Sequence, residues 1–126
     1  MKTHSPMQVV NTMMGSQVAP CERCCGEAGT LAVARPDVST QVRFRKQEEL
    51  TKGASALRAP GAGDRVSVKI LTSCPSCLQG LARYADDTGI KSDYIVVEMA
   101  RHLLGVAWMQ EFVAKVNRGG IERVLL

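Results

Sequence analysis

The stretch Val-Ser-Val-Lys-Ile-Leu-Thr-Ser-Cys-Pro-Ser-Cys, residues 66–77, decides the fold class of this chain. Apolar and polar residues alternate from Val66 to Ile70, which is the pattern of a half-buried β-strand. Pro75 follows shortly afterwards, and proline is favoured at the first position of a helix. We therefore predict a strand that leads directly into a helix running from Pro75 to Asp87.

The remaining apolar and turn-forming residues predict further elements of both kinds. Helices are expected at residues 5–14, 36–52, 98–104 and 106–117, and strands at 93–97 and 121–126. Strands that alternate with helices are typical of an α/β layered domain, here with a small, mainly parallel sheet flanked by helices. The 126 residues fit one domain over 1–126, and the glycines and proline between 53 and 64 predict a flexible internal linker.

The composition is that of an ordinary globular domain and argues against two classes of partner. The net charge is +4, and the basic run Arg43–Lys46 is followed by Glu48 and Glu49, as on a solvated helix face. Aromatic residues make up only 4% of the chain, so nucleic-acid binding by base stacking is not expected. The sequence has no apolar segment suited to membrane insertion and no signal-peptide core near Met1. We therefore expect a cytoplasmic location.

Five cysteines are the chain's most informative residues, and all of them fall in two clusters. Cys21/Cys24 and Cys74/Cys77 have the Cys-x-x-Cys spacing, and Cys25 directly follows the first pair. Clustered cysteines in a reducing compartment are more often metal ligands or redox centres than structural disulfides. The second pair lies at the predicted helix N-terminus, where free N–H groups and the helix dipole stabilise thiolates.

Three kinds of site are compatible with these residues. A Cys₄ zinc site would use both pairs, although they are further apart than in a zinc ribbon, and Cys24 and Cys25 cannot easily share one tetrahedral ion. Neighbouring cysteines can instead reach two irons of an iron–sulfur cluster. A redox-active dithiol at Cys74 and Cys77 fits the strand-to-helix position but leaves the first cluster unexplained. The residues alone leave all three open.

Two motifs carry a family resemblance. Cys-Cys-Gly-Glu-Ala-Gly-Thr at residues 24–30 and Cys-Pro-Ser-Cys at residues 74–77 resemble the CCG cysteine-rich domain. That domain occurs in heterodisulfide reductases, in iron–sulfur subunits of glycolate, lactate and glycerol-3-phosphate dehydrogenases, and in large FAD-linked oxidoreductases. The resemblance covers about residues 1–105 and is closest to the C-terminal end of a large bacterial FAD/FMN-containing dehydrogenase.

The resemblance implies a set of site residues. It makes four cysteines ligands of a [4Fe–4S]-type cluster, with two glycines that allow the backbone to approach that cluster; these are Cys24, Cys25, Cys74 and Cys77, and Gly26 and Gly29. Cys21 has no counterpart in the family pattern and would be an optional ligand or a free thiol. The family has one more cysteine upstream of the adjacent pair, whereas no cysteine precedes Cys21 here. An N-terminally truncated, C-terminal portion of the domain is therefore expected.

The function implied by the resemblance is electron transfer within a FAD-linked 2-hydroxyacid dehydrogenase or a heterodisulfide-reductase-like oxidoreductase. FAD would be bound by the parent or a partner, so the chain is not expected to be catalytic alone. Its partners would be a flavoprotein dehydrogenase and other iron–sulfur domains, which could place it at the inner face of the membrane. The alternatives are a structural zinc-binding domain that mediates assembly of a larger enzyme, and an inactive fragment.

Overall fold

The computed structural model describes residues 5–58 and 67–120, and its contacts divide the chain into two compact units, Met1–Ile95 and Val96–Leu126. The described residues form seven α-helices, one short 3₁₀ turn (Ala28–Thr30) and two strands. In chain order, the elements are α1 (Pro6–Met14), α2 (Leu31–Ala34), α3 (Pro36–Leu57), β1 (Lys69–Thr72), α4 (Pro75–Ala82), α5 (Ala85–Thr88), β2 (Lys91–Tyr94), α6 (Ile95–Leu104) and α7 (Trp108–Gly119).

The sheet consists of β1 and β2, which pair in parallel from Lys69 opposite Lys91 to Thr72 opposite Tyr94. Parallel neighbours need a crossover connection, which α4 and α5 provide. Helix α4 packs against both strands. The predicted α/β class, with a small parallel sheet flanked by helices, is confirmed.

One core joins the sheet to α3 and to the loop before α2. Helix α3 contributes Leu50 and Ala54, which are four residues apart and therefore share one helix face. The other buried members of this core are Cys25, Ile70, Leu81, Tyr84 and Ile90. The first cysteine cluster is thus tied to the strand-to-helix unit by a shared core.

Helix α1 confirms the prediction at residues 5–14, and its ends follow from local chemistry. The Ser5 hydroxyl accepts a hydrogen bond from the Gln8 amide, and the Gln8 side chain accepts one from the Ser5 amide. This reciprocal capping satisfies two N–H groups that the helix leaves unpaired. Gly15 ends the helix with a φ of 62°.

Helix α3 is longer than the sequence predicts, since it continues past Lys52 to Leu57. The prediction of a linker over 53–64 is therefore wrong for residues 53–57, and residues 59–64 lie outside the described residues. Gly53 disfavours a helix, but Ala54 is buried in the core and the Ser55 hydroxyl donates to the carbonyl of the preceding turn. Tertiary packing thus outweighs the glycine's local cost of about 1 kcal/mol.

The predicted helix from Pro75 to Asp87 is correct at its start but divided in two by Tyr84. The Tyr84 amide donates to the carbonyl of Leu81 at 3.1 Å, a tighter turn than an α-helix makes. Tyr84 is only 2% exposed. The tight turn places this large side chain in the core, which the helical pattern alone does not indicate.

The second strand comes earlier than predicted, at Lys91–Tyr94 rather than 93–97. Ile95 begins α6, so the β-branched residues that suggested a strand lie in a helix. Glu98 and Arg101 form an ion pair one helical turn apart. The last helix lies at Trp108–Gly119, about two residues beyond its prediction, and the predicted strand at 121–126 falls outside the described residues.

Across residues 5–58 and 67–120, no helix combines the length and apolar character needed to cross a membrane.

Candidate functional site

The second cysteine pair lies at the junction between β1 and α4. Cys74 is the extended residue before the helix, and Cys77 lies in the first helical turn. The Cys74 amide donates to the Thr72 hydroxyl at 3.2 Å, which fixes the turn as the strand ends. Pro75 begins the helix, as predicted, since its ring already holds the helical φ.

Cys74 is exposed and sits where the helix presents its free amides. The amide of Cys77 and the Cys77 thiol lower the pKa of Cys74 most, burial opposes them, and the amide of Ser76 lowers that pKa further. These amides face the sulfur without making a regular capping hydrogen bond. Cys74 is therefore the thiol with the strongest tendency to ionise at this junction, and a thiolate is both the nucleophilic and the metal-binding form.

The pKa of Cys77 is shifted in the opposite direction from that of Cys74. Its contact with Cys25, its partial burial and its contact with Cys74 raise the pKa of Cys77 to about 12. One negative charge among adjacent sulfurs disfavours a second, so Cys77 keeps its proton while a neighbour is ionised. A bound cation would remove this penalty by compensating the charge.

The two cysteine motifs meet at Cys25 and Cys77. Their Sγ atoms are 3.2 Å apart although the residues are separated by 52 positions in the chain. Cys25 is 8% exposed and belongs to the core, whereas Cys77 is half-buried against it. The structure thus brings one predicted ligand of each motif into direct contact.

The other predicted ligands are placed differently. Cys24 is exposed, and its Sγ accepts a hydrogen bond from the Gly26 amide at 3.4 Å. Cys21 is also exposed. Within 5–58 and 67–120, no group of three or more His, Cys, Asp and Glu side chains is arranged to hold a metal ion.

Helix α3 anchors the loop that carries Cys24 and Cys25. The Glu49 carboxylate accepts hydrogen bonds from the amides of Glu22, at 2.8 Å, and Arg23, at 3.2 Å. Lys46 donates to the Arg23 carbonyl at 2.9 Å and to Glu49 at 2.7 Å. Three backbone groups of the loop are therefore satisfied by two charged side chains from one helix turn.

Within this anchor Lys46 is buried, whereas the hydrogen bonds from the loop amides to Glu49 are exposed. Lys46 is 3% exposed, so it needs the Glu49 carboxylate to compensate its charge. Burial alone would raise the pKa of Glu49, but the hydrogen bonds from Lys46 and the loop amides outweigh it and lower that pKa. The interpretation of the basic run as a solvated helix face is therefore wrong for Lys46, while Phe44 and Arg45 are exposed as expected.

Helix α4 supplies a second anchor for the same loop. Glu27 forms an ion pair with Arg83 at 2.7 Å, and its side chain lies across Gly80. A Cβ at Gly80 would meet the Glu27 side chain, so a glycine is needed where the loop crosses the helix. Sequence reasoning missed these residues, although an isolated glycine inside a helix is a recognised signal of close packing.

The two glycines of the first motif differ in their surroundings. Gly26 has a φ of +81°, and a Cβ there would lie 3.3 Å from Cγ of Arg43 and 3.4 Å from Cγ1 of Val42. The close approach that Gly26 permits is therefore to α3. Gly29 has a φ of +58°, and within the described part of the chain no neighbouring atom lies within 4 Å of its Cβ position.

Comparison with known proteins gives one match. A family model described as a domain of unknown function, DUF3400, matches residues 82–126. The match covers less than half of the chain and begins after Cys77, so it does not include the cysteines. No curated protein and no solved structure matches the chain.

Proposed function

We propose that the chain is an iron–sulfur electron-transfer module, with Cys24, Cys25, Cys74 and Cys77 as cluster ligands. The observation that carries this proposal is the 3.2 Å contact between Cys25 and Cys77, which unites two cysteine motifs far apart in sequence. Cysteine thiolates are the ligands that iron–sulfur clusters require. The resemblance of both motifs to the CCG cysteine-rich domain supplies the ligand set.

The chain's own residues would perform three tasks. Cys74 and Cys77 would supply sulfur at the N-terminus of α4, where amides donate to sulfur and favour negative charge. Cys25 would contribute from the core, which keeps water from that side of the site. Cys24 would contribute from the exposed side, with the Gly26 amide donating to its sulfur. A cluster bound there would supply one-electron transfer, and these groups would set its reduction potential.

The place of this module in a larger enzyme follows from the resemblance. In a FAD-linked 2-hydroxyacid dehydrogenase of the lactate or glycolate type, a flavin would oxidise the substrate. Electrons would then pass through this chain and other iron–sulfur domains to an acceptor. The flavoprotein would be its partner in the cytoplasm or at the inner face of the membrane, and the chain alone would not be catalytic.

A structural zinc site is the second candidate function. Two thiolates on one tetrahedral zinc lie roughly 3.8 Å apart when each Zn–S bond is about 2.3 Å. The Cys25–Cys77 distance of 3.2 Å is near this value, so both sulfurs are within reach of one ion. Such an ion would hold the first cysteine loop to α4 and stabilise a surface for assembly of a larger enzyme.

Anaerobic reconstitution of the full chain with iron and sulfide tests the proposal. We expect iron and sulfide to be retained, with a visible and EPR signature that dithionite changes. Cys77→Ser should lose this signature, whereas Cys21→Ser is the matched control and should keep it. A colourless protein that retains zinc would support the structural candidate. A protein that retains no metal would identify the chain as an inactive fragment on its own.

A further inference from the structure

The contact between Cys25 and Cys77 also allows a reaction that needs no metal, namely formation of a disulfide bond. The sulfurs are 3.2 Å apart, and a disulfide bond requires about 2.05 Å. Closing the pair therefore needs a movement of only about 1 Å. Cys25 lies in an irregular segment and Cys77 in the first turn of a helix, so the loop can supply that movement.

The three neighbouring cysteines are graded in accessibility. Cys74 is exposed, Cys77 is half-buried and Cys25 is buried. Cys74 and Cys77 lie at the N-cap and in the first turn of the same helix, and the Cys77 Sγ is in contact with the Cys25 Sγ. The three cysteines therefore lead from the surface to the core, which is the arrangement that thiol–disulfide exchange needs.

We propose that the metal-free chain is a reversible thiol–disulfide couple. Its disulfide forms between Cys25 and Cys77, and the external oxidant reacts first with Cys74. The oxidant is a low-molecular-weight disulfide, which can reach Cys74 from solvent. The inner pair is favoured over Cys74–Cys77 because Cys25 is buried in the core and Cys77 is half-buried against it, so solvent thiols have less access to their bond than to one at exposed Cys74.

The exchange proceeds in three displacements. The Cys74 thiolate attacks the external disulfide, forms a mixed disulfide and releases one external thiolate. Cys77 then attacks the Cys74 sulfur and releases the second external thiolate. Cys25 finally attacks the Cys77 sulfur, forms the Cys25–Cys77 bond and returns Cys74 as a thiolate. In sum, Cys25 and Cys77 lose two electrons and two protons, and the external disulfide becomes two thiols.

This couple would control the proposed cluster or zinc site. A disulfide removes both sulfurs as thiolate ligands, so oxidation and metal binding exclude one another. That consequence rests on the proposed function, whereas the disulfide itself does not.

The test uses the reduced full chain, freed of metal with a chelator and exposed anaerobically to oxidised glutathione. Free thiols are counted by maleimide labelling, and cross-links are mapped by mass spectrometry of non-reduced peptides. We expect the five thiols to fall to three, with one Cys25–Cys77 cross-link that dithiothreitol reverses. Cys21→Ser is the matched control and should form the same cross-link.

Cys74→Ser tests whether oxidation passes through Cys74, separately from which disulfide is formed at the end. It should still yield the Cys25–Cys77 cross-link, but at least about tenfold more slowly, because the accessible thiol is gone. An unchanged rate would overturn the role of Cys74. A wild-type map with a Cys74–Cys77 bond, a lasting glutathione adduct or five free thiols would overturn the couple itself. Since the wild-type map needs no variant and no metal, its result is independent of the cluster reconstitution.

Discussion

Gly80 lies directly beneath Glu27, so that a Cβ at Gly80 would clash with Cγ of the glutamate. Gly80→Ala should therefore displace Glu27 and weaken its ion pair with Arg83. We expect the free energy of unfolding to fall by about 1–3 kcal/mol, the usual cost of overpacking. Urea denaturation of the reduced chain measures this change.

Gly53→Ala is the matched control, because Gly53 also lies in a helix but no atom of the described residues lies within 4 Å of its Cβ position. It should stabilise the protein by up to about 1 kcal/mol through helix propensity. Equal effects of the two substitutions would contradict the close packing of Glu27 on α4.

Glu49→Gln should weaken the anchor of the first cysteine loop, because it removes the charge that compensates buried Lys46. We expect a loss of about 1–3 kcal/mol in the free energy of unfolding at neutral pH. The folded-state pKa of Glu49 is lower than its ordinary value of 4.5. Its stabilisation is therefore complete above about pH 4.5 and is lost as pH falls through the folded-state pKa.

The measurement is urea denaturation of wild type and Glu49→Gln at several pH values. The difference between them should shrink on acidification below about pH 4.5. Glu48→Gln is the control, since the Glu48 side chain is 46% exposed and its contact with Arg23 is long, at 3.4 Å. A pH-independent difference, or an equal effect in the control, would be inconsistent with the anchor.

Gly26→Ala should destabilise the protein more than Gly29→Ala. Both positions have positive φ, so both alanines bear a backbone cost of about 1–2 kcal/mol. Only at Gly26 does the new methyl group also press against Val42 and Arg43 of α3. Thermal unfolding should therefore give a lower melting temperature for Gly26→Ala than for Gly29→Ala. The reverse order would argue against this contact.

Tyr84→Phe should leave the fold intact and raise its stability by about 1 kcal/mol, because the Tyr84 hydroxyl is buried with no hydrogen-bond partner in the described part of the chain. The same burial raises the pKa of Tyr84, and the adjacent Arg43 guanidinium opposes that rise without meeting the geometry of a hydrogen bond to the hydroxyl. The ring's contact with Arg43, at 5.8 Å from the ring centroid, is available to phenylalanine as well.

Tyr94→Phe serves as the comparison, since Tyr94 is half-buried at the end of β2, and its effect should stay within about 0.5 kcal/mol. The free energy of unfolding of both variants is measured by denaturant unfolding. A marked loss of stability in Tyr84→Phe would mean that its hydroxyl makes a stabilising hydrogen bond.

Features set by neighbouring residues could be predicted from the sequence. Ser5 and Gln8 cap α1 through contacts three residues apart, and Pro75 starts α4 because its ring fixes φ. The strand before Cys74 was recognisable from alternation. The extension of α3 past Gly53 was not, because burial of Ala54 against other elements decides it.

The candidate site likewise has features that the sequence predicts and features that only the tertiary structure sets. Cysteine spacing selected the two motifs, and the alternation before Cys74 together with Pro75 predicted a strand-to-helix junction there, since these are properties of short segments. Only the tertiary structure decided that Cys25 meets Cys77 and that buried Lys46, Glu49 and Gly80 hold the loop in place. Contacts between residues tens of positions apart depend on how helices and strands pack in three dimensions, and no local pattern of residues encodes that arrangement.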